Sequence, residues 1–134
     1  EPEAARAVLS WMAGRGIERA VLQRHVPGDL IKLYGVAPGA PGGVPAWFTW
    51  FYHREQDLKS HRFDEGELAR TAAGAADALG LEVFGGDAIA SADGRLTIID
   101  VNGWPSFALF RGIASARIAA YLADRFRGAT SETR

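Results

Sequence analysis

The chain has 134 residues, of which 48 % are hydrophobic, and its formal net charge is −1. That length is typical of a single domain, and the apolar content is sufficient for a buried core. The charge excludes a generally basic surface for nucleic acid, and no run of about 18 apolar residues, the length that spans a membrane, occurs in the sequence. The absence of cysteine excludes disulfide bonds and thiolate metal ligands, and it fits the cytoplasmic location that we expect.

The first part of the chain predicts a helix and then a β-hairpin. Pro2 suits the first position of a helix because its missing N–H would be unpaired there in any case. Apolar residues recur at helical spacing up to Met12, and two glycines end the pattern. Residues 20–26 and 30–36 predict two strands, and the Pro-Gly-Asp sequence at 27–29 is typical of the turn between them.

The next segments predict a loop, a strand and a basic connection. Residues 37–45 hold three prolines and three glycines, which favours an irregular loop. The aromatic run 47–52 is interpreted as a buried strand, and an aromatic platform for a ligand is the less favoured alternative. The segment 53–62 is locally basic and suits either a solvated loop or a small anionic ligand; its cations are Arg54, Lys59 and Arg62.

The second half of the chain predicts a helix, a hairpin and a final helix. The first helix has acidic residues in its opening turn, where they complement the helix dipole, and a glycine at its end. The predicted helix covers about 64–79, the hairpin about 81–102 and the final helix about 113–126. Residues 128–134 are predicted to be a disordered tail. The order α-β-β-β-α-β-β-α predicts an α+β fold, with a mainly antiparallel sheet and flanking helices, in one domain over 1–127.

The hairpin carries the residues with the clearest chemistry. Asp93-Gly94 suits a two-residue type I′ turn because both residues tolerate positive φ angles. Counting six residues outward from each of them reaches Asp87 and Asp100, which are therefore predicted to face each other with Cβ atoms about 4.5–5.5 Å apart. Asn102 lies two residues further along the same strand, so its side chain is predicted to point to the same face.

Facing carboxylates repel each other unless one is protonated or a cation lies between them. The oxygens of Asp87, Asp100 and Asn102 are hard ligands, which favours Mg²⁺ or Mn²⁺ over zinc. The Gly85-Gly86 pair would let a ligand approach the backbone closely. The alternative is a surface hairpin with two solvated aspartates, and the apolar neighbours on both strands disfavour it because they predict a hairpin at the centre of the sheet.

The hairpin sequence resembles the end of an ATP-grasp domain. Gly85-Gly86-Asp87 is similar to the family's Gly-x-Asp strand, and residues 100–105, Asp-Val-Asn-Gly-Trp-Pro, are similar to its Asp/Glu-x-Asn-x-x-Pro pattern. Residues 21–34 resemble the family's adenine hinge and the strand that follows it on the phosphate side. The resemblance extends over roughly 1–126 and implies the C-terminal half of an ATP-grasp fold.

The resemblance also implies roles for individual residues. Asp87, Asp100 and Asn102 would coordinate Mg²⁺ or Mn²⁺ that bridges the phosphates of ATP. Lys32 would face the phosphates or the substrate, and its alternative is a solvated lysine on an edge strand. Arg54 is a candidate for stabilising a phosphorylated substrate, with Lys59 and Arg62 as weaker candidates. The adenine would contact the backbone of the hinge residues Gln23, Arg24, His25 and Val26.

Three functions are compatible with this resemblance. The favoured one is an ATP-dependent carboxylate–amine or carboxylate–thiol ligase that acts through an acyl phosphate. A small-molecule kinase is the second, because inositol-phosphate kinases of this fold carry an aspartate at the position of Asp100, where ligases often carry glutamate. The third is a non-catalytic domain that supports a partner or a second copy. The expected partners are ATP and a small-molecule acid or phosphate acceptor, and the chain is expected to be the C-terminal part of a longer enzyme.

Overall fold

The computed structural model of the chain describes residues 2–37, 39 and 43–131, and for Pro2 and residues 128–131 it describes the backbone alone. The described residues form three helices and four strands. In chain order these are α1 (Pro2–Ala13), β1 (Asp29–Val36), β2 (Trp47–Tyr52), α2 (Glu65–Ala78), β3 (Val83–Ala90), β4 (Leu96–Gly103) and α3 (Arg111–Ser131).

The four strands form one sheet in the order β2-β1-β3-β4, and every neighbouring pair is antiparallel. This confirms the predicted α+β class with a mainly antiparallel sheet and flanking helices. The strands β1 and β3 occupy the centre, while β2 and β4 form the edges. Among the described residues, no helix combines the length and the apolar character that crossing a membrane requires.

One face of the sheet is covered by α2. The helix begins after Asp64, whose carboxylate accepts a hydrogen bond from the Glu67 backbone N–H, and it ends where Gly80 adopts a positive φ of 66°. The small residues on its inner face allow the helix to lie close to the sheet. The buried core between them consists of Ile31, Leu33, Leu68, Ala72, Ala76, Phe84, Ala88 and Ala90.

Among the described residues, the opposite face of the sheet is covered only at one end. There α3 packs against a second cluster, which contains Tyr34, Val36, Val83, Phe107 and Ala114. The rest of this face, over the middle of the strands, carries polar side chains instead of apolar ones. The helix runs beyond its predicted end at residue 126 and includes 128–131, the first part of the segment predicted as a tail. Residues 132–134 lie outside the described residues.

The predicted strand at residues 20–26 is wrong. Residues 17–28 have no regular secondary structure, and Leu22 is 95 % exposed. The physical reason is that β1 already pairs with β2 along one edge and with β3 along the other. β1 therefore has no free edge for residues 20–26, and the expected hairpin with residues 30–36 does not form.

The aromatic strand β2 forms where it was predicted, but it is half-buried instead of buried. It is an edge strand, and its alternating side chains pack on both faces of the sheet. Phe48, Trp50 and Tyr52 contact the core under α2, whereas Trp47 and Phe51 contact the cluster under α3. The aromatic residues thus contribute to two partly covered faces.

Candidate metal centre

The turn of the β3–β4 hairpin differs from the predicted one. The backbone N–H of Gly94 donates to the carbonyl of Ser91 at 2.9 Å, and the Ser91 N–H donates to the Arg95 carbonyl at 2.9 Å. Gly94 has a φ of 82°. This is a three-residue loop that ends in a left-handed glycine, so Ala90 faces Leu96 and the register next to the turn is shifted by one residue from the prediction.

A β-bulge reverses that shift before the two aspartates are reached. The pairing passes from Ala88 with Ile98 to Asp87 with Asp100, which leaves Ile99 as an extra residue on β4. Asp87 and Asp100 therefore face each other, as predicted. Gly86 makes the bulge possible, because a Cβ atom at this position would lie only 2.2 Å from the carbonyl oxygen of Asp100.

The two carboxylates each have a partner of their own. Lys32 lies on β1, which pairs with the edge of β3 that β4 does not use, and it is directly opposite Asp87. Its Nζ lies 2.9 Å from Oδ1 and 3.2 Å from Oδ2 of Asp87. The Nδ2 of Asn102 donates to Oδ2 of Asp100 at 2.8 Å. The ammonium of Lys32 thus supplies positive charge beside the two facing carboxylates. The sequence pattern predicts a metal ion for that charge and does not indicate this lysine. Lys32 also lies on a central strand, which removes its alternative interpretation as an edge-strand lysine.

The residues that directly follow β4 close one side of this site. After β4, Trp104 adopts a positive φ of 50° and its N–H donates to the Val83 carbonyl at 3.1 Å, which turns the chain back over the sheet. Pro105 then lies above Gly85, where a Cβ atom would be 2.7 Å from the proline Cγ. The space above Gly85 is therefore filled by the protein itself, so this glycine does not admit a ligand. Gly86 lines the polar pocket, and the expectation that a ligand approaches its backbone stays a prediction.

A pocket of about 230 Å³ lies over the polar residues. Lys32, Asp87, Asp100 and Asn102 line it together with Tyr34, Pro105 and Ser106. Lys32 and Asp87 keep 34 % and 26 % of their side-chain surface exposed, so solvent and small ligands can reach them. The pocket brings together all three predicted metal ligands and the predicted phosphate-side lysine.

The donor set of this pocket fits a hard divalent cation. Mg²⁺ needs only one or two protein carboxylates, because water and phosphate oxygens fill its other positions. Asp87 and Asp100 supply two carboxylates, and Asn102 adds an amide oxygen. In the part of the chain that the structure describes, no three His, Asp or Glu side chains come together, so a site with three such ligands is not formed there. An ion held here would need further oxygen donors from water or from a bound ligand.

A second and larger pocket, of about 980 Å³, lies at the hairpin-turn end of the sheet. Of the predicted hinge residues, Arg24, His25 and Val26 line it, whereas Gln23 is exposed and does not. The other walls come from the loop after β2 and from the hairpin turn between Ser91 and Thr97. Most of the predicted hinge therefore borders a pocket, although it does so as irregular chain and not as a strand.

The loop that forms one wall of the larger pocket is fixed by Asp29. This carboxylate is 1 % exposed and accepts backbone hydrogen bonds from Lys59 at 2.7 Å and from His61 at 2.6 Å. Burial raises the pKa of Asp29, but the two hydrogen bonds and the nearby positive charges of His61 and Lys59 outweigh it, and the pKa lies below its ordinary value. The sequence reasoning treated Asp29 as a turn residue only.

Gln56 is a second anchor that the sequence reasoning missed. Its side-chain amide accepts from the Leu30 N–H at 2.7 Å and donates to the Leu30 carbonyl at 2.8 Å, as a paired strand residue would. It also donates to the carbonyl of His53. A single glutamine in a polar segment offers no signal for this role, because the contact depends on where the loop folds back.

The remaining candidate cations do not converge on the polar pocket. Arg54 lies in the exposed loop after β2 and lines neither of the two pockets, and Arg62 is likewise exposed. Lys59 lines the larger pocket and pairs with Asp57. The catalytic role proposed for Arg54 therefore stays a prediction without a contact that supports it.

Comparison of the chain with models of known protein families, with curated proteins and with solved structures finds no match. A function must therefore be argued from the residues of the two pockets. The strongest feature available is the row in which Lys32, Asp87 and Asp100 face one another on three adjacent strands.

Proposed function

We propose that this chain is the ATP- and metal-binding part of an ATP-grasp enzyme, with the favoured activity of an ATP-dependent carboxylate–amine or carboxylate–thiol ligase. The observation that supports the proposal is the polar row of Lys32, Asp87 and Asp100, with Asn102 beside it, on an open sheet face. A solvated surface hairpin does not require a lysine from a neighbouring strand or a proline that folds back over the site.

In this proposal the residues of the row have separate tasks. Asp87, Asp100 and the amide oxygen of Asn102 hold Mg²⁺ or Mn²⁺, and the Nδ2 of Asn102 also orients Asp100 through their 2.8 Å hydrogen bond. When bound, the ion supplies positive charge that offsets the charge of the transferring phosphoryl group. Lys32 contributes a mobile ammonium that can exchange its Asp87 partner for a phosphate oxygen.

The larger pocket is the proposed site of the nucleotide base. Arg24, His25 and Val26 border it, and the hairpin turn that forms another wall begins at Ser91. Ser91 is four residues along the chain from Asp87, a distance of about 13 Å in an extended strand. The two pockets therefore lie at different positions along the same strands, which suits an elongated ligand with a base at one end and phosphates at the other.

A small-molecule kinase is the second candidate. It is favoured by Asp100 itself, because the inositol-phosphate kinases that the motif resembles begin it with aspartate. The polar row would hold metal and phosphates in the same way for either reaction, so the two candidates differ in the acceptor.

A cytoplasmic location belongs to the same proposal and is supported by the cysteine-free sequence.

Calorimetric titration with Mg²⁺ and a non-hydrolysable ATP analogue tests the nucleotide site. We expect saturable binding that depends on the metal and is weakened at least tenfold in Asp100→Asn, since loss of one coordinating carboxylate typically costs this much or more. Asp77→Asn is the matched control, because it removes the same charge from an exposed position on α2 that lines neither the polar pocket nor the larger one. Equal metal-dependent affinity in Asp100→Asn and Asp77→Asn would contradict the proposal.

The fate of the phosphate separates the two enzymatic candidates. The full product of the gene, incubated with ATP, Mg²⁺ and mixtures of carboxylic acids and amines, should release ADP and inorganic phosphate together if it is a ligase. A kinase leaves the phosphate on its acceptor and releases ADP alone. If no metal-dependent nucleotide binding occurs in the full gene product, the chain is a non-catalytic domain instead.

A further inference from the structure

Trp104 is an exposed aromatic residue at the edge of the polar pocket. It is 67 % exposed, although tryptophan normally buries most of its surface. Asn102, two residues before it, and Pro105 and Ser106, directly after it, line the pocket. Trp104 itself is not among the lining residues, so it adjoins the pocket through its neighbours in the chain, and the described part of the chain leaves its side chain largely uncovered.

The backbone of Trp104 is also held in an unfavourable conformation. Its φ of 50° is in the left-handed region, which a bulky side chain rarely adopts. Glycine is common in such positions, and a glycine, Gly103, directly precedes Trp104. The chain thus keeps tryptophan where glycine would be less strained and where the side chain contributes little burial. Backbone strain of this kind is concentrated at binding and catalytic sites.

The position of Trp104 along the sheet indicates which ligand it would meet. The proposed base pocket lies at the hairpin-turn end of β3 and β4, and the row of Lys32, Asp87 and Asp100 lies further along these strands. Trp104 follows the far end of β4, beyond Asn102. An acceptor that takes the terminal phosphoryl group of ATP at the polar row, with ADP as the leaving group, lies on the side away from the base, which is the side of Trp104.

We propose that Trp104 is a specificity residue that binds the acceptor, and that the acceptor carries a ring with a flat apolar face that packs on the indole. This inference rests on the proposed function. A flat ring face is shared by aromatic acids, which suit a ligase, and by cyclic polyols, which suit a kinase. Indole faces bind both kinds of ring, and the adjoining pocket supplies polar residues for the ring substituents, among them Ser106 and Asn102.

Fluorine NMR of the chain labelled with 5-fluorotryptophan tests the inference. The protein has four tryptophans, and Trp104→Phe assigns the resonance of Trp104. Trp11, which is similarly exposed but lies on α1, is the internal control. The probes are benzoate with its acyclic counterpart butyrate, and myo-inositol with its acyclic counterpart mannitol. Each is titrated with and without Mg²⁺ and the ATP analogue.

We expect one cyclic probe to shift the Trp104 resonance saturably while its acyclic counterpart and the Trp11 resonance do not respond. Trp104→Gly should weaken binding of that probe about tenfold, and Trp104→Phe should retain most of it. A response to benzoate identifies the acid and a response to myo-inositol identifies the polyol. A Trp104 resonance that responds to neither ring, or equally to the acyclic compounds, overturns the inference.

Thermal unfolding of Trp104→Gly excludes a purely structural role. Since glycine relieves the left-handed strain and little burial is lost, the unfolding midpoint should be unchanged or higher. A decrease of more than about 4 °C would assign Trp104 to the fold and overturn the inference. The nucleotide titration separates failure of this inference from failure of the proposed function. If nucleotide binds but Trp104 does not respond, only the ring site is refuted. If Trp104 responds but nucleotide does not bind, only the proposed ATP site is refuted.

Discussion

Replacement of Asp29 should destabilise the protein more than replacement of any exposed acidic residue. The carboxylate is 1 % exposed and accepts hydrogen bonds of 2.7 and 2.6 Å from the backbone of Lys59 and His61. Hydrogen bonds to a charged group contribute about 1.5–3 kcal/mol each, which gives about 3–6 kcal/mol before the cost of burying the charge is subtracted. We therefore expect Asp29→Ala to lower the free energy of unfolding by about 3 kcal/mol.

Urea denaturation at pH 7 measures this loss. The matched control is Asp57→Ala in the same loop, because Asp57 is exposed and its surface ion pair with Lys59 should contribute less than about 1 kcal/mol. Asp29→Asn should fall between the two, since the amide keeps one acceptor but turns a donor toward a backbone N–H. A loss below about 1 kcal/mol for Asp29→Ala would refute the assignment of Asp29 as the anchor of this loop.

The pH dependence of stability provides an independent check on Asp29. Its folded pKa lies below its ordinary value near 3.8, so the unfolded chain binds the proton first as the pH falls. The stability that Asp29 contributes is therefore fully present above the unfolded pKa and is lost as the pH falls through the folded one. The difference between wild type and Asp29→Ala should be constant from pH 7 to 5 and should decrease below about pH 4.

Two further predictions concern the polar pocket. Lys32→Met should strengthen binding of Mn²⁺ alone by a few-fold, because the ammonium that competes for Asp87 is removed, but it should weaken binding of the nucleotide. Electron paramagnetic resonance measures the affinity for Mn²⁺, and calorimetry measures the affinity for the nucleotide. If both affinities change in the same direction, the proposed role of Lys32 is contradicted. Gly85→Ala should destabilise the protein by about 1–3 kcal/mol, because the new Cβ would lie 2.7 Å from Pro105. An unchanged urea midpoint in Gly85→Ala would show that Pro105 does not pack there.

The facing aspartates illustrate how far the sequence determines a site. Their pairing was predicted from a two-residue turn, but the actual turn has three residues and is compensated by the extra residue Ile99 on β4. Either change alone would have moved the two carboxylates to opposite faces. The sequence contains one trace of the compensation, Gly86, which leaves room for the Asp100 carbonyl.

The missing strand at residues 20–26 has a different cause. Its apolar residues satisfy a local pattern, but the predicted hairpin also needs a free edge on β1, and both edges of β1 are taken by β2 and β3. The same non-local pairing brings Lys32 to Asp87 across 55 positions of the chain. Local patterns therefore predicted the α+β class and most elements, whereas contacts between distant segments determined the partners of Asp87 and Asp29.

In the proposed function, Asp87 and Asp100 bind a divalent cation together with nucleotide phosphates. Paramagnetic broadening of backbone amide signals by substoichiometric Mn²⁺, in the presence of a non-hydrolysable ATP analogue, tests it most directly. We predict that the amides of residues 86–87 and 100–102 broaden first and that those of α2, on the opposite face, remain sharp. Broadening that is spread over the exposed carboxylates, or that is unchanged in Asp100→Asn, would contradict the claim.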